Sequence, residues 1–522
     1  MSDRHVVIIG GGVGGLAAAI RLAASRRFRV TLLEKNPRVG GKLNLWEVPH
    51  PHRPADRPFR FDTGPSLLTL PQFFEDLFRA AGRRLNDHLH LERLDPIARY
   101  AWADGATFEA RAGREDLLRE LDRLSPADVD GWNRFAARGK AIWDLSADLF
   151  LQHAPEQLMK PTPGDRFAGL RMLAVPFKIG MFQKFSRLVD RHVRHPKLRE
   201  VLYQYATYSG ASPFRAPATL SVIPHAEFEF GGWYVRGGMY EIARQLESLA
   251  REFGVEIRTD CEARQILVEA HVGAGAKEKR RGVVRGVELP NGSTLACDAV
   301  VANADVVHTY RRLVAPEFRR KYSDKTLDKL DPGGSGLILM LGVDGTYPHL
   351  AHHNKFMPRD YRSDLVAMFE THTVPDDPCI YVCATTRTDP TVAPDGCENL
   401  FVLASAPALD GRIDWTAQTR RYRDQLVHML ETRWGLTDLS RRIVVERALS
   451  PADLQSAYNA NAGSIYGIGS NSLKTAFLRP PNRDKEIRGL YFTGGATHPG
   501  GGLPLVTLSG KIAAELVTED FS

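Results

Sequence analysis

Gly10, Gly12 and Gly15 form a G-x-G-x-x-G triplet between an apolar run, His5-Val6-Val7-Ile8-Ile9, and a helix-forming run over residues 16–24. No other feature restricts the fold as tightly. The first glycine permits a sharp turn out of a strand, the second lets backbone amides approach a phosphate, and the third lets helix and strand pack closely. Gly14 adds another small residue where the helix begins. The next apolar run, Arg29-Val30-Thr31-Leu32-Leu33, ends at Glu34, 19 residues beyond Gly15. Strand, turn, helix and strand in this order make a βαβ unit, so the chain opens with a parallel, Rossmann-like sheet. The helix N-terminus attracts a pyrophosphate, and the Glu34 carboxylate accepts hydrogen bonds from the ribose hydroxyls of an adenosine.

At 522 residues the chain is too long for one such unit. The α/β character fades after about residue 75 into helical stretches such as 127–151 and 196–208. It returns near Gly237-Gly238 with a helix at 240–253 and strands at 255–257, 283–289 and 299–302. The charged stretch 277–281 is expected to project into solvent, and a last strand, Gly489 to Phe492, leads through a glycine-rich loop into a final helix. The reading is an α/β protein whose dinucleotide domain is assembled from residues 1–75, 231–310 and 480–522. Residues 76–230 form a helical lobe and 311–479 a substrate domain of mixed sheet.

Several chemistries lack their parts. There is no Ser-His-Asp elbow, H-E-x-x-H helix or P-loop, which argues against hydrolysis and phosphoryl transfer. Five cysteines, Cys261, Cys297, Cys379, Cys383 and Cys397, have no C-x-x-C pairing; they suit a reducing cytoplasm and suggest no metal centre. No apolar run approaches the roughly 18 to 20 residues needed to span a bilayer.

The fingerprint serves FAD and NAD equally, so the choice rests on two further segments. Arg38-Val39-Gly40-Gly41-Lys42, just after Glu34 and Lys35, offers a second glycine pair and cations for the same pyrophosphate or for the far half of a longer cofactor. Near the other end stands Phe492-Thr493-Gly494-Gly495-Ala496-Thr497-His498-Pro499-Gly500-Gly501-Gly502-Leu503-Pro504. Glycines this dense at a strand end mark backbone lying against something flat or charged. Gly495, His498, Gly501, Gly502, Leu503 and Pro504 are therefore cofactor candidates. Gly467-Ile468-Gly469 is only a partial fingerprint in a loop-like context, and no NAD(P) site is expected.

In order, Gly10 to Gly15, Glu34, Gly40-Gly41, Phe61-Asp62-Thr63-Gly64-Pro65-Ser66, Gly231-Gly232-Trp233-Tyr234-Val235-Arg236-Gly237-Gly238-Met239 and Thr497 to Pro504 resemble the bacterial phytoene desaturase family of carotenoid-modifying flavoenzymes. The likeness spans nearly the whole chain. It implies FAD, bound in the architecture shared with amine oxidases, with the C-terminal glycine segment beside the isoalloxazine and ribityl chain. It adds Gly64, Pro65, Ser66 and Ala263 to the cofactor candidates; Ala263 stands where a larger aliphatic residue often packs on the adenine, and Lys42 where arginine is frequent. The implied reaction removes a hydride and a proton from a long polyene, such as phytoene, diapophytoene or a hydroxylated carotenoid. The cofactor performs the difficult step, and oxygen or a membrane quinone accepts the electrons. Terminal oxidases and polyene isomerases share the family, and residues 206–217 look more like enzymes of already modified carotenoids. Flavin amine oxidation is the rival, with Trp233 and Tyr234 as parts of an aromatic cage. The role of His498 stays open between guiding a proton, carrying a flavin link and hydrogen-bonding its own loop.

The formal net charge of +7 is concentrated: between Arg166 and Arg199 nine basic residues face Asp190 alone. Read as one helix, 177–194 places Phe177, Met181, Phe182, Phe185, Leu188 and Val189 on one arc and Lys184, Arg187, Arg191 and Arg194 on the other. That suits a helix lying in an anionic membrane surface, or a core-packed helix with a solvated basic face. A lipid-soluble substrate favours the first, so the expected setting is a cytoplasmic, peripheral membrane enzyme. No nucleic-acid module accompanies the charge, and no nucleic-acid partner is expected. The oligomeric state has no signature in the sequence.

Overall fold

The computed structural model describes residues 4–158, 175–270, 282–472 and 479–522. The opening unit forms as its pattern dictates, with β1 (Arg4–Ile9), α1 (Val13–Ala24) and β2 (Phe28–Leu33). Val6, Val7, Ile8 and Leu32 are buried on both faces of the sheet, which is why these strands read as continuous apolar runs rather than alternating ones. The sheet is wholly parallel, in the order Leu490–Phe492, Ala299–Ala302, β1, β2, Glu256–Arg258. Ile9 lies opposite both Leu33 and Ala302, and Ala302 opposite Phe492. Four strands therefore end together and release their loops along one edge, where doubly wound sheets bind ligands.

The last helix, Leu503–Asp520, and the helix Glu241–Glu252 both pack on α1. A Cβ on Gly510 would come within 2.5 Å of the Gly14 carbonyl oxygen and 2.8 Å of Ala17 Cβ. The final helix thus reaches α1 only because both surfaces are made of small residues.

A second sheet of seven strands runs in the order Ile443–Leu449, Ser335–Asp344, Cys397–Ala406, Ile380–Ala384, His353–Phe356, Ala98–Ala101, Thr107–Ala110. The last two strands form a hairpin drawn from the stretch read as mainly helical. Each is four residues long, with Tyr100 and Phe108 buried, and so short a two-residue period is submerged between longer helical runs. Helices Val129–Ser146, Phe185–His192, Pro196–Thr207 and Val222–Phe230 enclose a core that includes Phe108, Trp132, Phe135, Phe185, Leu188 and Leu202.

Residues 177–194 do not make the single amphipathic helix expected. Gly180 adopts φ +70, Lys184 is extended, and the helix begins at Phe185. Gln183 and Lys184 instead pair with the segment at 217–218, the Ala218 N–H donating to the Gln183 carbonyl at 2.8 Å or less and Lys184 bridging Pro217. The aromatic arc is split as a result. Phe185, Leu188 and Val189 enter the core, whereas Phe177 and Phe182 are 73% and 60% exposed with ring centroids 5.1 Å apart. Arg166, Arg171 and the charged stretch 277–281 lie outside the described residues. Among the described residues, no helix is long and apolar enough to cross a membrane.

Candidate active site

The loops leaving the shared sheet edge form one surface. Gly10 takes φ +101, and its N–H donates to the Leu33 carbonyl at 2.8 Å. Gly40 donates to Gly11 at 2.8 Å and bridges Gly12, while a Cβ on Gly41 would stand 3.2 Å from Gly12 Cα. The two glycine groups read separately in the sequence are therefore in contact. Beneath them lies Asn303, at the end of the strand Ala299–Ala302; its Nδ2 donates to the Gly10 carbonyl at 3.1 Å. A Cβ on Gly12 or Gly14 would come 2.8 Å from this side chain. Glu34 is buried, with Oε2 accepting the Gly11 N–H at 2.8 Å and Oε1 accepting the backbone and side-chain N–H groups of Asn36 at 2.8 and 3.0 Å.

Both helices that start from this edge have exposed polarity to offer. The Gly12 N-cap of α1 and the Gly502 N-cap of the last helix lack side-chain caps, and neither first turn holds an acid. A Cβ on Gly502 would meet nothing within 4 Å. Uncapped amides and an open cradle fit an anionic, partly planar cofactor such as FAD.

Lys35 and Lys42 reach across to the other half of the chain. The Lys42 ammonium donates to the Ser464 and Ile465 carbonyls, each at 2.7 Å. Burial pulls its pKa down to about 8 against the opposing field of Asp305. Lys35 donates to the Ser456 carbonyl at 2.9 Å and to Asn459 Oδ1 at 3.1 Å. Gly64 is packed against the Lys42 carbonyl, and half-buried Pro65 leads to Ser66, whose Oγ lies 2.7 Å from the Tyr381 hydroxyl. Ala263 is buried with Ile9 and Leu33. Asp62 accepts the Met239 and Tyr240 N–H groups at 2.8 and 2.9 Å, which ties the 61–66 motif to the turn at Gly238. Burial outweighs these bonds and raises its pKa to about 6.

The C-terminal glycine loop rests on residues 464–469. A Cβ on Gly501 would come 2.8 Å from the Tyr466 carbonyl oxygen, one on Gly495 3.3 Å from the same atom, and one on Gly467 3.0 Å from Ala496. The partial fingerprint at 467–472 is therefore a packing loop against the C-terminal glycine segment. Asn482 Nδ2 donates to the Phe492 and His498 carbonyls, and buried Arg479 to the Gly495 carbonyl. Leu503 is buried and Pro504 occupies the first turn of the last helix.

The His498 ring does not bond within its own loop. Its Nε2 lies 3.0 Å from the His153 carbonyl in the helical lobe, so Nε2 carries the proton. Burial lowers the pKa to about 4, and the ring is neutral near pH 7. This makes a prediction. Between about pH 4 and the ordinary value of 6.5 the folded state binds fewer protons than the unfolded chain. The stability contribution is complete above pH 6.5 and falls by about 3 kcal/mol as the pH drops toward 4. Urea melts of His498→Asn from pH 7.5 to 4.5 should show a shallower decline than the unaltered protein, and equal slopes would refute the assignment.

Three other groupings are apparent only in the folded chain. Trp233 and Tyr234 are adjacent on the strand Trp233–Val235, so they point to opposite faces and cannot wall one amine cage. His352, His353 and Cys383 are buried with potential ligand atoms within 4.8 Å of one another. His353 Nδ1 is also 2.6 Å from the Tyr381 hydroxyl, and His352 Nδ1 is 2.6 Å from Thr388 Oγ1. Finally, Lys355 and Glu227 are buried among Tyr100, Tyr205 and Tyr208. Sequence reasoning missed Asn303, Arg479, Asn482 and Lys355. Of these, Asn303 carried a signal, as a polar residue at the C-terminal end of an apolar parallel strand.

The family model for flavin containing amine oxidoreductases matches residues 13–518. The chain is similar to 4,4'-diapolycopene oxygenase of Methylomonas sp, with 38% identity over 99% of both chains. It is also similar to 4,4'-diaponeurosporene oxygenase of Staphylococcus aureus, with 34% identity over 98% of both. Among solved structures, an oxidoreductase from Methanosarcina mazei superposes with TM-score 0.60 over 99% of this chain and 100% of that one, at 15% identity. Cyclohexylamine oxidase from Brevibacterium oxydans gives 0.56 over 100% of both, at 14% identity. Glycine surface, uncapped helix ends and full-length kinship converge: the chain belongs to the flavin containing amine oxidoreductase family and is an FAD-dependent oxidoreductase.

Proposed function

We propose that this enzyme oxidises carotenoid-type polyenes, with oxidation at the chain terminus favoured over desaturation of its interior. The observation that carries the reading is the end-to-end similarity to two enzymes named as diapocarotenoid oxygenases. The tyrosine-lined junction of helical lobe and seven-stranded sheet supports it, as does the separation of Trp233 from Tyr234.

In this reading residues 1–75, 231–310 and 480–522 hold the cofactor, 76–230 form the membrane-facing lobe, and 311–479 carry most of the substrate sheet, completed by the hairpin at 98–110. Gly10 makes the turn that lets the amides at Gly12, Gly14 and Gly15 meet the pyrophosphate, and Glu34, which holds the Gly11 and Asn36 N–H groups, would offer its remaining acceptor capacity to the ribose. Gly40 and Gly41 leave room beside them, while Lys35 and Lys42 brace the facing loops. Ala263 borders the adenine. Gly64, Pro65 and Ser66, together with Gly495, His498, Gly501, Gly502, Leu503 and Pro504, would border the flavin, which supplies the redox chemistry as hydride acceptor. The protein would align the polyene so that a hydride leaves the terminal carbon with its electron pair while water adds its oxygen there and releases a proton, with oxygen or a quinone from the bilayer as final electron acceptor.

Anaerobic mixing with phytoene, 4,4'-diapolycopene and hydroxylated carotenoids in liposomes tests this reading. The expected result is bleaching of the oxidised flavin spectrum and a product altered at its terminal carbon. A flavin that amines reduce and polyenes do not would establish amine oxidation instead.

Membrane contact is part of the proposal and now rests on a different surface. Exposed Phe177 and Phe182 lie in the stretch of chain that also exposes Lys178, Lys184, Arg187, Arg191 and Arg194, so apolar and basic groups emerge from one segment. At about 1 kcal/mol per basic residue near an anionic bilayer, reversing Arg187, Arg191 and Arg194 to Glu should weaken liposome binding about a hundredfold. Phe177→Ser with Phe182→Ser should weaken binding even at high salt. Sedimentation indifferent to both changes would reject this surface.

A further inference from the structure

We propose that Lys355 and Glu227, enclosed by Tyr100, Tyr205 and Tyr208, bind the oxygen-bearing end of a polyene, so that the enzyme discriminates oxidised chain ends from hydrocarbon ones. The inference rests on the carotenoid reading above and specifies its substrate.

Lys355 lies on the strand His353–Phe356 and Glu227 on the helix Val222–Phe230; both are buried. The Lys355 Nζ is 4.6 Å from the Tyr208 ring centroid, 5.3 Å from that of Tyr100 and 5.9 Å from that of Tyr205. It donates to the Tyr208 hydroxyl at 3.2 Å, its one hydrogen bond among the described residues. An ammonium group has three N–H donors. Glu227 Oε1 accepts from the Tyr205 hydroxyl at 2.7 Å, while Oε2 has no hydrogen-bond partner among the described residues. Two N–H groups that face only aromatic rings and one carboxylate oxygen without a hydrogen-bond partner among the described residues thus share a single tyrosine shell. Buried charge is costly unless its hydrogen-bonding capacity is met, and an apolar pair of the same volume would serve stability better. A purely structural role leaves that cost unanswered.

The position suits a substrate site. His353 and Lys355 are two residues apart and share one face of the sheet. His353 Nδ1 meets the Tyr381 hydroxyl, which meets Ser66 in the motif beside the glycine loops. The ammonium is therefore on the sheet face that leads to those loops. An aldehyde or hydroxyl oxygen would accept from Lys355, a hydroxyl would donate to Glu227 Oε2, and the rings would flank the conjugated end. A hydrocarbon end would leave these polar groups without a partner, which is the condition for strong discrimination.

The test compares 4,4'-diapolycopene with its terminal aldehyde, by titrating the perturbation of the bound flavin spectrum in the holoenzyme, in Lys355→Met/Glu227→Gln and in Tyr208→Phe. The unaltered enzyme should bind the aldehyde at least tenfold more tightly. That ratio should fall to about one in the double variant and to an intermediate value in Tyr208→Phe. A ratio near one in the unaltered enzyme, or one unchanged in the double variant, overturns the inference. If the double variant loses FAD, the ratios of the unaltered enzyme and Tyr208→Phe decide. A hydrocarbon bound and oxidised with no preference for the aldehyde defeats this site alone, whereas a flavin that neither compound perturbs defeats the carotenoid reading with it.

Discussion

Gly15→Ala is expected to purify almost free of flavin. The added methyl carbon would fall inside the contact distance of the Gly10 carbonyl oxygen and 3.1 Å from Asn303 Nδ2. One of those atoms belongs to the turn itself and the other to the side chain beneath it, so the turn has to move. That turn aligns the Gly11 N–H on Glu34 and the Gly11 carbonyl on the Gly40 N–H. Overpacking of this kind costs about 1 to 3 kcal/mol, and each 1.4 kcal/mol is about tenfold in affinity. If the whole cost falls on the bound state, FAD binding should weaken by about 5- to 150-fold. Gly12→Val should act similarly, because its Cβ meets Asn303 at 2.8 Å. Gly82→Ala, in open space at φ +68, should leave flavin content intact despite its strained backbone. The check is the flavin-to-protein absorbance ratio, followed by reconstitution of the apoprotein. A Gly15→Ala protein with full flavin would refute the placement of the pyrophosphate.

Gly501→Leu should abolish turnover, whereas His498→Ala should only slow it. At Gly501 even the first side-chain carbon stands 2.8 Å from the Tyr466 carbonyl, and leucine would drive the 495–502 loop away from residues 464–469. His498 acts through its bond to His153 and its neutral ring, with no carboxylate among the groups acting on it. A missing acid or base costs about 100- to 10,000-fold only where it works in the limiting step. Removing a buried ring that holds lobe to loop should leave FAD bound and a measurable rate. Single-turnover flavin reduction by a carotenoid in liposomes, with FAD measured in parallel, separates the two. A flavin-replete His498→Ala enzyme with no reduction, beside a normal Gly501→Leu enzyme, would reverse these roles.

What the sequence discloses of this molecule depends on how local the cause is. The turn at Gly10 to Gly15, its flanking strands and Glu34 were legible because two-residue and helical periodicities meet a steric demand within a few dozen residues. The segment at 177–194 misled for a related reason. Its helical period is real, yet Gly180 weakens a helix by about 1 kcal/mol, and pairing of Gln183 and Lys184 with residues 217–218 replaces the lost backbone bonds. Asn303 supports a glycine turn 293 residues away, so only its place at a strand end hints at it, and Asn482 holds a loop 10 to 16 residues on through backbone carbonyls that any residue offers. Lys355 looks like any strand lysine until the tyrosines of one helix end and a hairpin close around it.

The parallel sheet also sets an order of events during synthesis. β1 is made first, but its neighbour Ala299–Ala302 follows after most of the chain, and Leu490–Phe492 and the helix that covers α1 come last. At about 5 to 20 residues per second, the fingerprint leaves the ribosome roughly 25 to 100 s before its final neighbours exist. In that interval β2 and, later, the helix Glu241–Glu252 cover part of β1 and α1, and the full FAD surface exists only once Leu503–Asp520 has been made. Cofactor supplied after that helix emerges, rather than while the first strands are being made, is then what governs the yield of active enzyme.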